Sequence, residues 1–162
     1  ATIANDFSVG VEIAHPGAYP QPMNAAMALW YERDALGWKQ RFPAWMKETG
    51  LPDDFVARPV RPDVIAGEVQ GKTYYMVDYT PQQYEALARL MAGLNRALPR
   101  IRLEAPRDPA GEVVDHVLPE SRLRAFDGIV GHFHVQKNKQ DPGPAFQWEP
   151  TLRAARELRE RR

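Results

Sequence analysis

Between His132 and Asp141 the chain gathers two imidazoles, two ammonium groups and a carboxylate, in the run His132-Phe133-His134-Val135-Gln136-Lys137-Asn138-Lys139-Gln140-Asp141. An imidazole nitrogen and a carboxylate oxygen are both ligands for a tetrahedral divalent zinc. The run closes on Asp141-Pro142-Gly143-Pro144, which can continue neither a helix nor a central strand. A constrained loop there returns Asp141 toward His132. The apolar Gly128-Ile129-Val130 predicts the end of a buried strand that delivers His132 at its edge. His134, two residues on, falls on the same face of that strand, where a substrate contact is the expected role. A histidine ending an apolar strand is also a common core or rim residue, and Asp-Pro-Gly is often only a turn. Two ligands do not complete a site.

A second stretch lies far upstream, Asn5-Asp6-Phe7-Ser8-Val9-Gly10-Val11-Glu12-Ile13. Val9, Val11 and Ile13 alternate with Ser8, Gly10 and Glu12, a period of two that predicts a strand with Glu12 opposite the apolar set. A sheet holding both this strand and the one before His132 presents a carboxylate beside a metal-bound water.

The order Asn-Asp-Phe-Ser-x-Gly-x-Glu, then a helix containing Gln-Tyr, then Gly-His and Lys-x-Asp-Pro-Gly-Pro-Ala-Phe-x-Trp resembles the zinc-dependent N-acetylmuramoyl-L-alanine amidases. That superfamily includes the peptidoglycan recognition proteins, and the likeness is nearest to the anhydro-muropeptide amidase branch. It covers roughly residues 1–15, 73–100 and 125–150. The resemblance implies His132 as the second zinc histidine, Asp141 as the carboxylate ligand, Lys139 as the lysine beside it and Glu12 as the catalytic glutamate. It implies a mixed α/β fold with a central β-sheet flanked by helices, and residues 16–72 stand outside the family's usual core as an inserted helical segment.

The first zinc histidine of that family precedes the Asn-Asp-Phe-Ser block. This chain's four histidines are His15, His116, His132 and His134, and none lies there. The expectation is that residues 1–162 are the C-terminal portion of one amidase-like catalytic domain, the third ligand coming from an upstream fragment or a partner chain. The implied reaction is hydrolysis of the amide between N-acetylmuramic acid and L-alanine in bacterial peptidoglycan or muropeptides, a step of cell-wall degradation. Zinc lowers the pKa of its water to near neutrality, Glu12 serves as general base, and Lys139 or the metal steadies the oxyanion. A metal-free peptidoglycan-binding module of the same fold is the alternative, and a purely structural domain the third. The resemblance favours the periplasm or cell envelope and leaves the cytoplasm open.

Composition sets outer bounds. The 162 residues carry 21 basic and 21 acidic side chains, a balance that gives no support to a nucleic-acid or anionic-membrane partner. With no cysteine, disulfides and thiolate metal sites are excluded. No run is long enough to form a membrane span.

The elements that must position these groups follow from local pattern. His15 to Pro22 is a proline-rich loop after the Glu12 strand, so His15 is expected at the rim of the same cleft, as a substrate contact. Met23 to Phe42 shows helical spacing through Met27, Trp30, Tyr31, Asp34, Trp38 and Arg41, with Asn24 as N-cap. That stripe reads first as packing, although aromatics such as Trp30, Trp38 and Trp45 also suit a glycan wall. Pro43 opens a further helix ending at Gly50, and 51–63 is an extended linker. Two strands flank Gln70-Gly71-Lys72. Thr80-Pro81-Gln82-Gln83 starts a long helix that Pro99 ends. Residues 101–124 read as irregular, and 151–162 as a terminal helix.

Overall fold

A computed structural model describes residues 3–46, 48–52 and 54–161. The fold is mixed α/β: five α-helices, a short 3-10 turn over Ile3–Asp6 and two separate two-stranded antiparallel sheets among the described residues. No helix among them is long and apolar enough to cross a membrane.

Helix α1 spans Ala25–Trp30, and Asn24 caps it as expected, its Oδ1 accepting from Met27 N at 2.8 Å. The helix stops there. Tyr31–Asp34 (β1) and Gly37–Gln40 (β2) form a hairpin in place of the long helix predicted to Phe42. The reason is local: Asp34 Oδ1 accepts from Leu36 N at 2.9 Å and Gly37 takes φ +106°, a turn that no helix accommodates. The stripe does pack, for buried Met27 and Tyr31 meet Val77, with Trp30 and Trp38 against them. Residues 44–45 make a turn closed by Met46 N on Pro43 O at 2.9 Å, so the helix expected from Pro43 is not formed there; Lys47, inside that predicted span, lies outside the described residues.

The second hairpin pairs Ile65–Val69 (β3) with Lys72–Met76 (β4), as predicted. Its two-residue loop puts both Gln70 (φ 57°) and Gly71 (φ 70°) at positive φ, which matches the twist of the strands. Helix α2, Pro81–Ala97, begins with the full reciprocal cap between Thr80 and Gln83. It packs on α5, Trp148–Glu160, and the largest core cluster joins Leu87, Ala88 and Met91 of α2 to Leu152 and Ala155 of α5, over Met76 and Phe146. Each large apolar side chain so buried contributes about 1.5–3 kcal/mol. Leu90 of α2 and Leu98 at its C-cap are exposed.

The two strands expected to carry the site are not assigned. Residues 7–18 run without regular structure, and Val9 and Val11 are exposed, so the alternating pattern has no sheet to pair with. Gly128-Ile129-Val130 forms no strand and does not pair with the Glu12 segment; it runs beside residues 102–104, with Arg102 N donating to Asp127 O (2.6 Å) and Ile129 N to Glu104 O (2.8 Å). Two short helices flank this extended pass, α3 (Glu120–Arg124) before it and α4 (His132–Val135) after it, beside a smaller core of Ala4, Val114, Leu118 and Leu123.

Candidate functional site

His132 is the first residue of α4, after Gly131. The chain leaves α4 through a tight turn in which Lys139 N donates to Gln136 O at 3.2 Å, then comes back so that Phe133 N donates to Asp141 O at 3.2 Å. The return is close-packed: a Cβ on Gly131 would stand 2.6 Å from Pro142 Cδ. Glycine is therefore required for the two arms to touch. The result is that Asp141 Oδ2 lies 3.0 Å from His132 Nδ1, while Gln136 Oε1 lies 2.7 Å from the other ring nitrogen, Nε2. Both ligand candidates are solvent-accessible, with side chains 39% and 63% exposed for His132 and Asp141.

Contacts from Gln70, Tyr79 and Met76 fix this loop to the body. Gln70, at the β3–β4 turn, donates from Nε2 to Phe133 O (2.8 Å) and Gln136 O (3.1 Å), and its Oε1 accepts from Val117 N (3.1 Å). The Tyr79 hydroxyl donates to Pro142 O at 2.9 Å. Gly143, at φ +85°, presses on Met76 Sδ, and its missing Cβ would also stand 3.6 Å from Ala18 Cβ. The N-terminal segment therefore passes beside the Asp141 loop.

A further latch holds the residues that follow. The Asp78 carboxylate is buried and accepts from Arg61 Nε (2.6 Å), Tyr84 Oη (2.6 Å), Gln147 Nε2 (2.9 Å) and Tyr79 N (2.8 Å). Arg61 also donates to Ala145 O. A buried charge so completely paired is strongly destabilising to break.

The other predicted residues are placed differently from one another. Glu12 is exposed on the extended N-terminal segment, and Ile13 beside it packs on the main core. Lys139 is half-buried two residues before Asp141 and forms no ion pair among the described residues. His15 does not stand at an open rim. Its Nδ1 accepts from Gly17 N (2.9 Å), its Nε2 donates to Val77 O (2.9 Å) and lies 3.1 Å from Tyr31 Oη, and its ring is 4.6 Å from that of Tyr79. Burial lowers its pKa to about 4.

His134 is likewise enclosed, fully buried with Nδ1 accepting from Gly131 N (2.9 Å) and Nε2 donating to Val114 O (2.6 Å). Its pKa is also lowered by burial, to about 4. The expectation that it shares a face with His132 fails because this stretch is helical, and residues two apart on a helix point about 200° from each other. His134 is a packing residue that steadies the start of α4.

His132 and Asp141 have the chemistry of zinc ligands, and their spacing suits it: two ligands about 2.0–2.1 Å from a tetrahedral ion stand roughly 3.3 Å apart. The pair fits two positions of such an ion. No group of three or more His, Asp or Glu side chains able to hold a metal occurs among the described residues, so a third protein ligand is not supplied by them.

Gln70, Tyr79, Asp78, Arg61 and Gln136 were not singled out from the sequence. Gln136 carries one signal, the i, i+4 spacing from His132, which has meaning only where the stretch is helical. No family model, curated protein or solved structure matches this chain.

Proposed function

We propose that the chain forms part of a zinc-dependent amidase site acting on the bond between N-acetylmuramic acid and L-alanine in peptidoglycan or muropeptides, within an amidase-like fold. The observation that supports this reading is the His132 Nδ1–Asp141 Oδ2 approach of 3.0 Å at an accessible surface. Substrate identity rests on the sequence resemblance. Bound zinc supplies a Lewis acid and a water acidic enough to react near neutral pH.

In this reading His132 and Asp141 hold the ion, with a third ligand from outside the described residues. With Asp141 as a ligand, proton transfer to the leaving amine would be the part of Glu12, the role the resemblance implies for this exposed carboxylate. Lys139 carries a positive charge two residues from Asp141, suited to a developing oxyanion.

The test is release of stem peptide from a purified muropeptide together with zinc content of the same full-length protein. Glu12→Ala is expected to keep zinc and lose at least about 100-fold in release, the scale of general-base removal. Asp141→Ala is expected to lose both. Muropeptide binding with no zinc and no release would replace this reading with the metal-free binding module.

A further inference from the structure

We infer that the outer edge of β3 takes up an extended peptide as an added strand, with a lysine of that peptide set opposite Glu68. In the β3–β4 hairpin the two-residue loop makes Val69 and Lys72 the closing hydrogen-bonded pair, so Gly67 with Tyr74 and Ile65 with Met76 exchange the next ladder bonds. Ala66 and Glu68 therefore turn their N–H and C=O groups away from β4. The far side of the hairpin shows the same phase, since Tyr75, opposite Ala66, gives both of its main-chain groups to Tyr19, at 2.7 and 2.8 Å. β4 has that neighbour on its outer edge; β3 has none at Ala66 and Glu68 among the described residues, and both are exposed. The edge is closed at its end, where Gln70 N donates to Asp115 O at 2.9 Å.

Beside Glu68 the open edge borders a cleft whose two sides are β3 and residues 113–115, lined by Phe133, Pro144, Phe146 and Trp148. At about 140 Å³ it is smaller than the roughly 300–1,000 Å³ of small-molecule sites and suits one or two aliphatic side chains. In a strand added here, the residue directly opposite Glu68 stands on the exposed face with that carboxylate. Its two neighbours, opposite Gly67 and Val69, point to the other face, where Val69 is buried and Pro144 presses on Gly67, 2.7 Å from where its Cβ would be. Main-chain bonds then hold the peptide, and the alternate side chains decide which peptide it is. Charge selects the middle one. Glu68 forms no ion pair among the described residues, and Asp115, across the cleft, meets His116 Nδ1 at 2.9 Å. No lysine or arginine lines the cleft, so an ammonium is the complementary group there. The pattern that fits is aliphatic, lysine, aliphatic.

The probe is an N-acetylated, C-amidated pentapeptide, Thr-Val-Lys-Val-Thr, titrated calorimetrically into the full-length protein beside the same peptide with norleucine for lysine. Amide hydrogen exchange is expected to slow at Ala66 and Glu68 on binding and to stay as it was at Gly67 and Val69, whose N–H groups are already bonded within the hairpin. Glu68→Lys is expected to weaken the lysine peptide about five- to tenfold, and norleucine to weaken binding to the wild type about threefold, the scale of a cross-strand charge pair. Ala66→Pro removes an outward N–H at a position where an edge strand accepts proline, and is expected to abolish binding of both peptides without lowering the melting temperature by more than a few degrees. Should that variant fail to fold, Glu68→Lys, a change at an exposed side chain, still decides. No binding to the wild type at millimolar peptide would overturn the inference and leave Glu68 as a charge that blunts the edge. Equal affinity for the two peptides, or binding without slowed exchange at Ala66 and Glu68, would also overturn it. So would protection of those two amides that rises with protein concentration in the absence of peptide, which would assign the edge to a second copy of this chain.

Discussion

Two imidazoles in this protein do opposite things although they stand two residues apart. His132 is accessible and meets acceptors on both sides, whereas His134 spends both nitrogens on the main chain of its own loop and of Val114. Sequence alone ranked His132 correctly as the one with a partner at Asp141, because the proline-glycine turn forces the chain back. It could not tell that His134 is buried, since that depends on whether the stretch is strand or helix. His15 was misplaced for a similar reason: a loop histidine reads as exposed until Tyr31 and Tyr79, from distant elements, close over it. Partly buried His15 and fully buried His134 make a pH prediction. Each has a folded pKa of about 4 against an ordinary 6.5, so between those values the unfolded chain binds protons that the folded chain refuses. Stability is then full above about pH 6.5 and falls as pH drops toward 4, by on the order of 3 kcal/mol for each ring. Urea unfolding across that window checks this. His15→Gln is expected to be less stable at pH 7.5 and to lose about half of the pH dependence; an unchanged slope would show that His15 is not the source.

Elements with strong local signals were legible. The Thr80–Gln83 cap, the β3–β4 hairpin and the terminal helix all occur where propensity and turn chemistry put them. The α1 to β2 region was not, because Trp30, Tyr31 and Trp38 fit a helical period and a hairpin equally well, and the turn at Asp34 and Gly37 decides between them. For the site, the element that matters is the loop from Gly131 to Pro142, whose arms meet with no room for a side chain. Gly131→Ala is expected to push the arms apart, cost roughly 1–3 kcal/mol as an overpacked contact, and weaken zinc binding as His132 and Asp141 separate. Thermal unfolding and zinc competition on the same variant read the two effects together. A variant with wild-type values in both would mean that the arms are not held by this contact.

At the scale of the whole molecule, the predicted central sheet is replaced by two hairpins and a helix pair, and the loop holding His132 and Asp141 is positioned from β4 and its flanks. Met76 touches Gly143, Tyr79 holds Pro142, and Asp78 draws Arg61, Tyr84 and Gln147 around Ala145 and Phe146. None of this was readable beforehand, because Asp78 and Arg61 have no local pattern and acquire meaning only when residues far apart in sequence are folded together. The extended segment before Ile13 keeps the general-base candidate, Glu12, on a piece of chain that has no sheet to fix it. In the proposed amidase reading a single divalent cation is shared by His132 and Asp141. Anomalous diffraction at the zinc edge from crystals of the zinc-loaded protein tests it directly. The account predicts a peak about 2.0–2.1 Å from His132 Nδ1 and about 2.0–2.2 Å from an Asp141 oxygen; a peak elsewhere, or none with the imidazole still bonded directly to the carboxylate, would contradict it.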